Sequence, residues 1–177
     1  MRSIKWRLGQ LRRGAVGFVI GAAVFAAGAT VGMAPAMAQG SQITLIVHEI
    51  KLIDRADAFS QADLFVRATI AGQTKVSPPM KQTGRPGESI RNEITLSQAV
   101  KPGRHAVRLE LLDKDLRADD FIDINRIANR RFLDFTVDTR NCRIAGFAQA
   151  YRCKQRITRA GAERKAAEIT FSVEVRK

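Results

Sequence analysis

Leu111-Leu112-Asp113-Lys114-Asp115-Leu116-Arg117-Ala118-Asp119-Asp120-Phe121-Ile122 is the stretch whose reading decides the fold. Val107, Leu109 and Leu111 alternate with other residues just before it, which is the period of a half-buried strand. Four aspartates, at 113, 115, 119 and 120, then fall within eight residues of an otherwise basic chain. Crowding carboxylates on one turn disfavours the ionisation of each, so the fold gains nothing from the crowding itself. Such a loop points to a hard cation, because calcium takes several oxygen ligands, largely carboxylate. A solvated acidic turn is the plainer alternative.

A second acidic loop lies at Asp57-Ala58-Phe59-Ser60-Gln61-Ala62-Asp63, with Asp54 just upstream, between two more strand-like runs. Two such loops, each following a strand, can meet at one end of a sandwich and share ions. Asp57 with Asp63 six positions on, followed by Leu64-Phe65-Val66-Arg67, resembles the first calcium loop of the C2 domain family. Asp113-x-Asp115 followed by Asp119-Asp120-Phe121-Ile122 is similar to that family's third loop, and Asn92-Glu93-Ile94-Thr95-Leu96 resembles its Asn-Glu strand. The resemblance covers roughly residues 43 to 138 and a final strand. Leu64 and Phe65 replace the family's proline and tyrosine, Arg91 its tryptophan and Asp123 its glycine. The third loop is one residue short, so either Asp119 or Asp120 takes the last ligand position.

The resemblance implies a binding module rather than a catalyst. It implies that Asp57, Asp63, Asp113, Asp115 and Asp119 or Asp120 bridge two or three calcium ions whose remaining coordination sites take lipid oxygens. Phe59, Leu116 and Arg117 would then stand at the loop tips and meet the membrane. Arg67, Lys75 and Arg91 on the broad face would add salt-sensitive attraction to anionic lipid. It also implies an eight-stranded antiparallel all-β sandwich in the permuted, type II-like order, since one strand precedes the first acidic loop and an extra one closes the chain.

Residues 1–38 read as a signal peptide. Arg2, Lys5, Arg7, Arg12 and Arg13 precede an apolar run from Gly14 to Met33, and Ala36-Met37-Ala38 fits an A-x-A cleavage site. The run is long for a signal core, so an uncleaved anchor is the alternative. Both place the folded part beyond the inner membrane, in the periplasm or outside. Removing the leader leaves 139 of the 177 residues, enough for one domain at 39–177. It also removes five of the thirty lysines and arginines, leaving 25 basic residues against 17 acidic.

Much of that excess sits in residues 140–165, where eight cations face Glu163 alone. The same span holds Cys142 and Cys153, the only cysteines, expected to form a disulfide in an exported protein. We expect a basic, disulfide-closed insert at about 139–166 between the last two strands, with a helical turn near 160–167. A protein or an acidic glycan is the alternative partner such an insert suggests, acting without calcium. Its few aromatics, Phe147 and Tyr151, and its compartment argue against nucleic acid. His48 and His105 read as ordinary strand residues, and no nucleophile elbow, zinc-protease or phosphate-loop motif is present.

Alternation continues along the chain at Ile43, Leu45 and Val47, at Leu64, Val66, Ala68 and Ile70, and at Ile169, Phe171, Val173 and Val175. Ala71-Gly72 marks a hairpin, and further strands are expected at 90–97, 104–112, 121–126 and 131–138.

Overall fold

The computed structural model describes residues 40–54, 62–83, 85–115 and 119–177. Thirteen strand segments and no helix occur among them. In chain order they are β1 (Ser41–Leu52), β2 (Ala62–Ile70), β3 (Gln73–Val76), β4 (Met80–Gln82), β5 (Ser89–Ile90), β6 (Ile94–Val100) and β7 (Arg104–Asp113). They continue with β8 (Asp120–Ile122), β9 (Leu133–Asp138), β10 (Arg143–Ala145), β11 (Tyr151–Arg152), β12 (Ile157–Ala160) and β13 (Ala167–Arg176).

These form two antiparallel sheets. One runs β12-β13-β1, with β5 and β6 both on the far side of β1. The other runs β11-β10-β9-β7-β2-β3, with β4 beside β2 and β8 beside β7. The alternating apolar residues of both sheets enter one core, where Leu64, Val66, Leu109 and Leu111 meet Leu45, Ile169 and Phe171. Phe135 of β9 stacks on Phe171 of β13 with ring centroids 5.6 Å apart, joining the sheets face to face. Burying one such ring stabilises the fold by about 1.5–3 kcal/mol. This is the all-β antiparallel sandwich that the alternation implies.

Three local features show how the sequence reaches it. Ala71 and Gly72 both have positive φ, 51° and 80°, as the tight two-residue turn joining Ile70 to Gln73 requires. In β1 the register with β13 shifts between Val47 and Glu49. The extra residue, His48, moves the buried set from Ile43, Leu45 and Val47 to Ile50 and Leu52. His48 Nε2 lies 2.9 Å from Ser172 Oγ, and His105 Nε2 lies 2.7 Å from the Lys101 carbonyl, each on a different sheet.

The span 139–166 carries strands of its own. Its middle is a short hairpin, β10 and β11, that extends the second sheet from β9. Its later part, β12, is an edge strand of the first sheet and buries Ile157. The short run Ile157–Ala160 alternates too briefly among arginines for periodicity to reveal it. No helical turn forms at 160–167, because Gly161 and Ala167 hydrogen-bond across the β12–β13 connection instead. Cys142 and Cys153 form a disulfide, with Cα atoms 5.3 Å apart, across the base of the β10–β11 hairpin.

Candidate functional site

Strand register carries the ends of the acidic loops to one end of the sandwich. Leu64 of β2 pairs with Asp113 at the end of β7, and Asp113 pairs with Asp120 at the start of β8. The Asp63 N–H donates to Asp113 Oδ1 at 2.8 Å, and the Lys114 N–H donates to the Asp63 carbonyl at 3.1 Å. Asp63, Asp113 and Asp120 are therefore neighbours, although 57 positions separate the first from the last. Asp113 is buried, whereas Asp115 and Asp119 stand exposed on the flanks of the loop. Asp57, Phe59, Leu116 and Arg117 lie outside the described residues.

Two features of this end escape a sequence reading. Lys165, in the connection between β12 and β13, places its ammonium 2.5 Å from Asp120 Oδ2. The chain thus supplies a cation of its own at the acidic loop. Asp123 is the second. It is only 1% exposed, and its carboxylate accepts three backbone N–H groups: Asn125 on Oδ1 at 2.9 Å, with Ala162 and Glu163 on Oδ2 at 2.8 and 2.7 Å. Its own N–H donates to the Lys165 carbonyl, and its carbonyl accepts from the Ala167 N–H, both at 2.8 Å. A Cβ on Gly161 would come within 2.6 Å of the Asp123 carbonyl carbon, so only glycine lets the two segments approach so closely. The sequence signal for Asp123 is a lone carboxylate between Ile122 and Ile124, both fully buried.

Three arginines here pair with carboxylates. Arg67 pairs with the nearly buried Glu110 at 2.5 Å and lies 5.6 Å from the Phe121 ring centroid. The Glu110 hydrogen bond holds the Arg67 guanidinium above its ordinary pKa against the desolvation that lowers it, and Asp119 adds to the rise. Arg91 pairs with Glu49 at 3.3 Å and Arg108 with Asp134 at 2.8 Å.

Calcium is the ion that the resemblance implies, and the donor set can be tested against it. Asp63, Asp113, Asp115, Asp119 and Asp120 offer oxygen only, with no thiolate or imidazole beside them, which suits a hard cation. Among the described residues, no three His, Cys, Asp or Glu side chains gather closely enough to hold a metal. The donors thus fit in kind, and a full set needs the first loop, whose central residues lie outside the description.

Comparison with known proteins bears on the fold. No family model matches the chain, and no curated protein matches it. Solved structures do. Human GIVD cytosolic phospholipase A2, in complex with methyl gamma-linolenyl fluorophosphonate, aligns at 13% identity and a TM-score of 0.51, over 78% of this chain and 17% of that one. A C2 domain of plant extended synaptotagmin 1 aligns at 9% identity, over 77% of this chain and 96% of that one, with a TM-score of 0.48. A C2 domain protein from Ramazzottius varieornatus aligns at 15% identity, over 77% and 89%, with a TM-score of 0.40. C2 domains are thus among the structural neighbours of this all-β sandwich. The chain spans less than a fifth of the human phospholipase.

Proposed function

We propose that this protein is an exported, calcium-dependent binding module that docks on anionic phospholipid through its two aspartate-rich loops. The observation that carries the reading is that the strands bring the ends of both acidic loops together, with Asp113 opposite Asp120 and bonded to the Asp63 N–H, and with Asp115 and Asp119 exposed nearby. Asp57 and Asp63 would hold ions from the first loop, and Asp113, Asp115, Asp119 and Asp120 from the second. Bound calcium supplies positive charge and open coordination sites that lipid phosphate oxygens complete. The Asp63 N–H fixes the Asp113 carboxylate against rotation, so part of the ligand set is already oriented. Phe59, Leu116 and Arg117 are the residues assigned to membrane contact.

The pairing of the last strand, β13, with the first, β1, supports the permuted strand order. The basic start, the apolar run and the disulfide support export to an oxidising compartment, periplasmic or extracellular. The Lys165–Asp120 pair favours a second reading, in which the sandwich binds a protein or acidic glycan without calcium through its basic segment.

Calcium titration of the purified protein separates the two. At ten times its dissociation constant, calcium should stabilise the fold by about 1.4 kcal/mol, and Asp115→Asn should remove most of that shift. A melting curve indifferent to millimolar calcium, against a chelator control, would sink the calcium reading.

A further inference from the structure

Five surface cations make ion pairs among the described residues, and none of the five belongs to the disulfide hairpin. Arg67, Arg91, Arg108, Arg131 and Lys165 each have a carboxylate partner. Arg140, Arg143, Arg152, Lys154 and Arg156 are all exposed, and none makes an ion pair among the described residues.

Two of them are held in an arrangement that opposes folding. Arg143 of β10 stands directly opposite Arg152 of β11, so both side chains leave the same face of the hairpin. Like charges directly opposite one another destabilise a strand pair. The row continues through Asp138 of β9 to Arg104 of β7, so three guanidiniums face one carboxylate. Asp138 Oδ1 also accepts the Arg140 N–H at 3.0 Å.

What holds the arginines together is built into the backbone. The Cys142–Cys153 disulfide closes the hairpin one residue beyond the pair, and Cys153 N–H donates to the Cys142 carbonyl at 3.1 Å. Arg143 N–H donates to Asn141 Oδ1 at 3.2 Å and Arg152 N–H to Gln155 Oε1 at 2.7 Å. Lys154 N–H ties the turn to the other sheet through the Val173 carbonyl at 2.8 Å. The side chains Asn141, Arg143, Tyr151 and Arg152, with Ala150, line a cleft of about 310 Å³. A cleft lined by two arginines that the strand register already pairs suits a ligand that would otherwise have to gather them itself.

We infer that this cleft is an anion-binding site for a phosphate group, held by Arg143 and Arg152 with Arg104 in support. Paired guanidiniums match the charge and donor geometry of a phosphate, and they do so better than lysines because each presents a planar fork of N–H groups. Neutralising the pair removes the repulsion that the hairpin carries when empty. The site lies apart from the acidic loops and does not depend on calcium. Loop 114–119 follows the Asp113 end of β7, whereas Arg104 is at its start.

The test titrates inorganic phosphate into the purified protein, with chelator present and chloride at matched ionic strength as the comparison. Phosphate should raise the melting temperature and shift the arginine side-chain N–H resonances, whereas chloride should not. The double variant Arg143→Gln/Arg152→Gln should bind phosphate at least tenfold more weakly, yet melt higher than the parent in chloride alone. Arg104→Gln should lose less, and Arg126→Gln/Arg130→Gln, two arginines outside the row, should lose nothing. Reducing the disulfide should weaken binding by loosening the pair. Equal effects of chloride and phosphate, or an unchanged phosphate response in the double variant, would overturn the site. Anionic phosphatidylglycerol vesicles in chelator then identify the source. Sedimentation lost in the double variant assigns a lipid head group, and a phosphate response without sedimentation assigns a soluble phosphorylated ligand. Because calcium is absent throughout, this outcome is independent of the calcium reading.

Discussion

The acidic end and the basic hairpin both crowd like charges, and they contain the repulsion differently. At the acidic end the fold meets the carboxylates with partners from the chain. Asp123 receives three backbone N–H groups, Asp113 receives one from Asp63, and Asp120 faces Lys165. At the hairpin the cations have no such partners among the described residues, and a covalent bond beside them holds the strands together instead. Hydrogen bonds at the acidic end fix some of the carboxylates and leave Asp115 and Asp119 exposed. Crowding held in place by a disulfide leaves charge available to something outside the chain.

Asp123 gives the largest expected effect. Asp123→Ala strands three donors in a buried setting and should cost about 3 kcal/mol or more, since an unsatisfied buried donor costs about 1–3 kcal/mol. Gly161→Ala should also be severe, because the added methyl meets backbone rather than a movable side chain. The exposed Asp115→Ala should change stability in chelator by no more than about 0.5 kcal/mol. Denaturant unfolding of the three variants tests whether compensation or mere acidity distinguishes these aspartates. Equal losses at 115 and 123 would break the contrast.

Breaking the disulfide comes next. The closed segment is short, with a sequence separation of 11, so the chain-entropy argument assigns it roughly 3 kcal/mol at most. Hydrogen exchange of the reduced protein should show lost protection in residues 139–156 and little change in β1, β2, β7 and β13, which form the centre of both sheets. Loss spread through those four strands would mean that the hairpin is integral to the core.

How much of this was legible follows from which interactions are local. The alternation at Leu64 to Ile70 and at Ile169 to Val175 is written in neighbouring residues, and it led directly to β2, β13 and the two-sheet core. The acidic loops were equally visible, because their aspartates are close in sequence. Asp123, Lys165 and Gly161 were not, since Lys165 and Gly161 lie in the connection between β12 and β13, about 40 residues from Asp120 and Asp123, which they meet. Arg67 and Arg91, expected to add attraction to anionic lipid from the broad face, have partners that the sequence hides for the same reason. Their carboxylates, Glu110 and Glu49, are 43 and 42 positions away. Strand β12 was missed because four residues among arginines carry too little periodicity.

The smallest expected effect is also the one that bears most directly on calcium. Lys165 holds its carbonyl to the Asp123 N–H and its ammonium to Asp120, with the side chains of this pair 33% and 51% exposed. An ion pair so open to water contributes about 0–1 kcal/mol. Lys165→Met keeps the length of the side chain and the backbone hydrogen bond, so in chelator the fold should lose no more than that. In calcium the sign should reverse. Any ion that uses Asp120 as a ligand must displace the ammonium, and removing that competitor returns its contribution to the ion. The calcium affinity should then rise by up to about fivefold, the factor equivalent to ~1 kcal/mol. Paired denaturant curves in chelator and in millimolar calcium measure both signs at once. A calcium response in the parent that Lys165→Met leaves unchanged would assign the last ligand position of the loop to Asp119, and would make the Lys165–Asp120 pair part of the scaffold alongside Asp123.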